Sequence, residues 1–77
     1  MQVNERSALD IIVLLPQTGC TSGEEMERAA ELLRDAGIPV IVYEYFEDHA
    51  LLWIEALDCD EAVLFLTAHG LNAGRPN

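Results

Sequence analysis

The sequence predicts an α/β fold, a three-stranded parallel sheet of order 2-1-3 with one helix on each face. Three short runs rich in β-branched, leucine and aromatic residues alternate with two segments whose apolar residues recur at helical spacing. That β-α-β-α-β order is the grammar of parallel strands joined by right-handed crossovers. The chain has 77 residues, 51% of them apolar, enough for a single small domain over 1–77 with one modest core.

The first strand is "LDIIVLLP", Leu9 to Pro16, an apolar run closed by proline as in a strand buried on both faces. The first helix is "SGEEMERAAELLRDAG". Ser22 and Glu25 are spaced as a capping box, Met26, Ala29, Ala30 and Leu33 form one stripe, and Gly37 stops the helix before Pro39. "PVIVYEYF" is the second strand by its Val, Ile and aromatic content. "EDHALLWIEALD" is expected to be the second helix, with Asp48 as its cap and Ala50, Trp53, Ile54 and Leu57 as its stripe. "EAVLFLTAH" is then the third strand, and "GLNAGRPN" reads as coil. The ends, 1–8 and 70–77, are expected to be flexible. Strands two and three would both be bare edges carrying Ile41, Tyr43, Tyr45 and Phe65, a surface that invites a homodimer or a docked partner.

Fourteen acidic residues face four arginines and no lysine, for a formal charge of −10. Such a body repels nucleic acid and anionic membrane and favours a basic protein surface as partner. The longest uncharged apolar run, "IIVLLP", is too short to span a bilayer, and "MQVNERSALD" lacks the basic-then-apolar order of a signal peptide. A cytoplasmic location is expected. Cys20 and Cys59 would lie at opposite ends of the parallel sheet, roughly 17–20 Å apart, whereas a disulfide needs Cα atoms within ~7 Å. No disulfide is expected.

In an open parallel sheet, ligands bind beyond the carboxyl ends of the strands. That edge would gather Pro16, Thr18, Gly19, Cys20 and Ser22 after strand one, His49 after strand two and His69 after strand three. A phosphate cradle wants a cation and free amides at the helix start, but the loop has no lysine, and Glu24 and Glu25 stand where the anion would sit. A cysteine-phosphatase loop wants an arginine six residues after the cysteine, where this chain has Met26. Cys20 beside a helix start with a histidine near it leaves thiolate chemistry as one reading. A zinc site from Cys20, His49 and His69 lacks any close ligand pair, so no metal and no cofactor are expected. Glu44, Tyr45, Glu47, Asp48, Glu55, Asp58, Asp60 and Glu61 would make one strongly negative side along the second helix and its ends, suited to a basic groove.

"LLPQTG", "ERAAELLRDAGIPVIV" and "WIEALDCDEAVLFL" together resemble the nucleoside 2-deoxyribosyltransferase-like family, from about Ile11 to Leu66. Those chains run P-x-T-G after strand one, A-A-x-x-L-x-x-x-G on the next helix and C-D before a later strand. The resemblance implies an α/β fold with a nucleoside-type crevice lined by Pro16 to Gly19, and Asp60 as a structural aspartate before strand three. The family then passes through an S-x-G-A turn into a helix bearing its nucleophilic glutamate. Here the corresponding stretch is "HGLNAGRPN", in which Asn72 and Gly74 echo the turn and no glutamate follows. Covalent transfer needs that carboxylate, so the expectation is the fold without the catalysis.

The leading functional expectation is therefore a non-enzymatic acidic protein that inhibits a basic, nucleic-acid-handling partner. In size and charge it is similar to small phage-encoded inhibitors of host defence such as anti-CRISPR proteins. The alternative is a nucleoside- or nucleotide-binding module using Pro16, Thr18, Gly19, Cys20, Ser22 and His69, and a third is a Cys20-based enzyme.

Overall fold

A computed structural model describes residues 8–76. The elements are β1 (Leu9–Leu15), α1 (Ser22–Asp35), β2 (Val42–Tyr45), β3 (Ala50–Glu55), α2 (Ala56–Ala68) and β4 (Asn72–Gly74). They form one four-stranded sheet of order β2-β3-β1-β4, with every neighbouring pair antiparallel. The expected three-stranded parallel sheet is thus corrected. Since β1 and β2 both run against β3, they are parallel to each other with β3 between them. By the same logic β3 and β4 are parallel with β1 between them. Two split β-α-β units interleave, which is the ferredoxin-like topology, a scaffold that hosts many unrelated activities and names none.

The correction has a local origin at residues 50–68. Every residue from Ala50 to Ile54 is apolar, so a helical stripe and a strand alternation fit the letters equally well. Burial decides between them: Ala50, Leu52 and Ile54 are buried, while Leu51 and Trp53 are only partly so. The strand also has partners on both sides, since Leu52 opposes Ile12 of β1 and Tyr43 of β2. Residues 61–69, expected to be the third strand, instead fall almost wholly within α2, which buries Cys59, Ala62 and Leu66 at helical spacing. The period was masked because this helix is apolar nearly all round, with Leu57 and Leu64 in solvent. The tail expected to be coil contributes β4, whose Asn72, Ala73 and Gly74 pair with Leu15, Leu14 and Val13. Of the expectation for 1–8, all but Ala8 falls outside the described residues.

Both helices end in the same way. In each, the glycine just past the cap has positive φ, Gly37 at 83° and Gly70 at 88°. The amides of Ile38 and Leu71 then reach back to the carbonyls of Leu33 and Leu66 at 2.8 and 3.0 Å. Those are Schellman closures, and Ile38 and Leu71 complete them by turning into the core. The shared pattern L-x-x-x-G-[IL] is visible at 33–38 and again at 66–71. At its other end α1 starts from a capping box one residue earlier than expected. Thr21 Oγ1 accepts from the Glu24 amide and Glu24 Oε1 accepts from the Thr21 amide, both at 3.1 Å.

One core holds the layers together. Ile12 and Leu14 of β1, Leu52 and Ile54 of β3, Met26, Ala29 and Leu33 of α1, and Cys59, Ala62 and Leu66 of α2 belong to a single buried cluster. Because α1 and α2 touch each other as well as the sheet, both lie on the same face. The expected arrangement, one helix on each face, is corrected with the topology. Each fully buried Leu or Ile contributes about 1.5–3 kcal/mol of transfer free energy.

Candidate functional site

The three segments singled out for chemistry do come to one end of the molecule, although the sheet that brings them there differs from expectation. The turn after β1 is fastened to the α2–β4 turn by Gln17, whose amide donates to the Gly70 carbonyl. On the other side, the Ser22 hydroxyl donates to the Phe46 carbonyl in the β2–β3 connection. The end of β1, the start of α1, the 46–49 hairpin and the 69–71 turn are therefore neighbours.

Their side chains do not form a catalytic set. Ser22 is buried and spends its hydroxyl on Phe46. Thr18 and Gly19 lie in an exposed turn closed by the Cys20 amide on the Gln17 carbonyl at 2.9 Å, with Gly19 at φ 90°, and Pro16 is half-buried just before it. His69 caps α2: its Nδ1 sits 2.9 Å from the Phe65 carbonyl, which only accepts, so Nδ1 carries the proton. Its ring tilts on Phe65 with centroids 4.4 Å apart. His49 donates from Nδ1 to Asp48 at 2.7 Å and stacks on Phe46 at 4.7 Å. The pairing with His49 holds the Asp48 carboxyl below its ordinary value. Among the described residues, no three His, Cys, Asp or Glu side chains gather as metal ligands.

Cys20 is exposed and Cys59 is buried, and both thiols are free. Hydrogen bonding with the Glu25 carboxylate pushes the Cys20 thiol up, and the charges of Glu25 and Glu24 add to it. An activated nucleophile needs the opposite shift. The Glu25 carboxylate itself turns inward, with Oε1 buried and without a hydrogen-bond partner.

A more developed feature lies between α1 and the free edge of β2. All four β2 residues are exposed, and Tyr43 and Tyr45 stand toward α1 because they oppose the inward-facing Leu52 and Ala50. The Tyr45 ring rests over Gly23, 3.5 Å from where a Cβ would stand. A cleft of about 570 Å³ opens there, with Glu24, Glu27 and Glu47 around Tyr45 and Phe46. A second hollow of about 500 Å³ shares Glu24 and Glu27 and continues past Glu31 to Tyr43, with Arg28 and Arg34 on its wall. Among the described residues, the hairpin end of this groove therefore holds three carboxylates, two aromatic rings and no cation.

The expected single acidic side is divided by the fold. Tyr45 and Glu47 line the cleft, and Asp48 is at the hairpin tip beside it. Glu44 points to the opposite face of the sheet, since it opposes Leu51. Glu55, Asp58, Asp60 and Glu61 cluster at the far end, around the start of α2. There Arg75 bridges Asp60 and Asp10 at 2.6 and 2.5 Å. Glu27 and Phe46 are not among the candidates read from the sequence, and Glu24 enters there only as an obstacle to anion binding. The signal was present in the spacing of Glu24, Glu27 and Glu31 down one side of α1, but only the neighbouring strand gives that side a partner. Compared with protein-family models, curated proteins and solved structures, the chain matches none.

Proposed function

We propose that this chain is a non-enzymatic, acidic docking module that occupies a basic surface of a nucleic-acid-handling protein and so inhibits it. The observation that carries this is the cleft in which Glu24, Glu27 and Glu47 surround Tyr45 and Phe46. Three carboxylates beside exposed aromatic faces suit an arginine or lysine head group, which gains a charge-assisted hydrogen bond and a cation–π contact together. The formal charge of −10 steers a basic partner toward the molecule from any direction. Tyr45 and Phe46 supply the rigid apolar area on which such interfaces concentrate their affinity. The raised thiol of Cys20 favours binding over nucleophilic catalysis.

An affinity pull-down from host lysate tests this. A basic protein should be retained at low salt, be released at high salt, and be lost with the triple variant Glu24→Gln, Glu27→Gln, Glu47→Gln. The matched change Glu55→Gln, Glu61→Gln at the far end should leave capture intact. Recovery of no protein at either salt would overturn the proposal. A nucleoside that raises the melting temperature through Thr18 and Gly19 would replace it with the nucleoside-binding reading.

A further inference from the structure

We infer that the uncovered face of the sheet is a docking surface for a second copy of this chain. Both helices lie on one face, so the other has no covering element among the described residues. Alternation along the strands puts Ile11 opposite Trp53 and Val13 opposite Leu51 at its centre. All four of these side chains remain partly exposed. Leu9, Leu15 and Val42 extend the apolar surface to its margins at 46%, 47% and 48% exposure. Monomeric proteins seldom leave so continuous an apolar face uncovered.

Its chemistry selects the occupant. The strand residues on this face carry two charges, Glu44 opposite Leu51 and Glu55 opposite Leu9, both toward its corners. A basic partner finds little to pair with there, whereas an apolar twisted sheet is complementary to another of its kind. Two such sheets stack about 10 Å apart at roughly 30° with side chains interdigitated. A twofold axis makes one patch serve both copies. Four strands at ~4.8 Å and seven residues at ~3.3 Å bound the face at about 19 × 23 Å. Two such faces bury at most about 900 Å², at the small end for protein pairs, which points to a weak, reversible dimer. Tyr43, Tyr45 and the α1 groove lie on the helix side, so the cleft stays open in the dimer and neither proposal depends on the other.

The charge imposes a distinctive salt response. Two bodies of −10 repel, and bringing the sheets together gathers four carboxylates around the contact. Salt that shortens the Debye length from about 10 Å at ~0.1 M to about 3 Å at ~1 M should tighten the dimer roughly tenfold. A basic partner in the cleft would respond in the opposite sense.

Sedimentation velocity across the micromolar range at both salts, read together with tryptophan emission, tests the inference. Trp53 is the single tryptophan and lies at the centre of the face, so its emission should shift to the blue as dimer forms. Glu44→Gln with Glu55→Gln should tighten the dimer at low salt. Leu9→Lys with Leu15→Lys, at margins exposed enough to accept the change, should abolish it while circular dichroism and the melting curve stay native. A monomer at every concentration and salt would overturn the inference. So would a dimer that survives the two lysines, or one that forms with Trp53 emission unmoved. A monomer whose Trp53 emission is already blue when dilute would place a segment of the chain itself over the face.

Discussion

The two cysteines are chemically alike in the sequence, and their surroundings separate them. Cys20 is exposed but its thiol is pushed up by Glu25, and Cys59 is buried with its thiol pushed up chiefly by desolvation. At neutral pH a disulfide reagent should modify Cys20 more slowly than an unperturbed thiol, and Glu25→Gln should speed that reaction. Cys59 should react only when the protein unfolds, which a parallel reaction in denaturant checks. For Cys59 the folded chain holds its proton to higher pH than the unfolded chain does. Its contribution to stability is complete below the ordinary thiol value of 9.0 and is lost as pH rises toward the folded value. Cys59→Ala should therefore flatten the alkaline decline of the melting temperature. Residue identity was legible at this scale, but the pairing was not: Ser22 and Glu25, expected as the capping box, both turn inward, and Thr21 and Glu24 make the box.

At the scale of elements, the matching helix ends make a sharp test. An added methyl at Gly37 or Gly70 meets nothing within 4 Å, so only the backbone resists substitution. Gly37→Ala and Gly70→Ala should each lower stability by about 1–2 kcal/mol, the usual penalty for an L-residue in the left-handed region. Urea midpoints measure it. Strand β3 has its own test. Leu52 is fully buried while Leu51 is partly exposed on the open face. Leu52→Ala should destabilise by about 2–5 kcal/mol and Leu51→Ala by clearly less. β1, α1 and its Gly37 stop were readable because their patterns have one solution, an apolar run bounded by proline and an amphipathic stripe bounded by caps. β3 and α2 were exchanged because both are apolar without a dominant period, and pairing with β1 and β2 decided what the letters left open.

For the molecule as a whole, net charge opposes compaction. Fourteen acids against four arginines leave a net charge of −10, whose self-repulsion is greater in the folded chain than in the expanded one. Raising salt from ~0.01 to ~0.5 M should stabilise the fold by roughly 1 kcal/mol, or about 4–8 °C in melting temperature for a domain of this size. Thermal unfolding at a concentration that keeps the chain monomeric would read it, and a melting temperature that falls with salt would contradict it. The fold also distributes those charges. Three carboxylates frame the α1–β2 cleft, a second group surrounds the start of α2, and the open face of the sheet is almost free of them. On the two proposals above, these surfaces should respond to salt in opposite senses.

The sequence by itself determined the charge, β1, α1 and the stop of α1, because each is written in neighbouring residues. Tertiary structure alone decided the direction of the strands, the fate of residues 50–68 and the pairing of 72–74. Strand direction follows from which backbones hydrogen-bond, and an all-apolar stretch takes whichever form lets it bury one side and pair its backbone. The same packing put α1 and α2 on one face, and in doing so created both the acidic cleft beside β2 and the apolar face behind it that no described element covers.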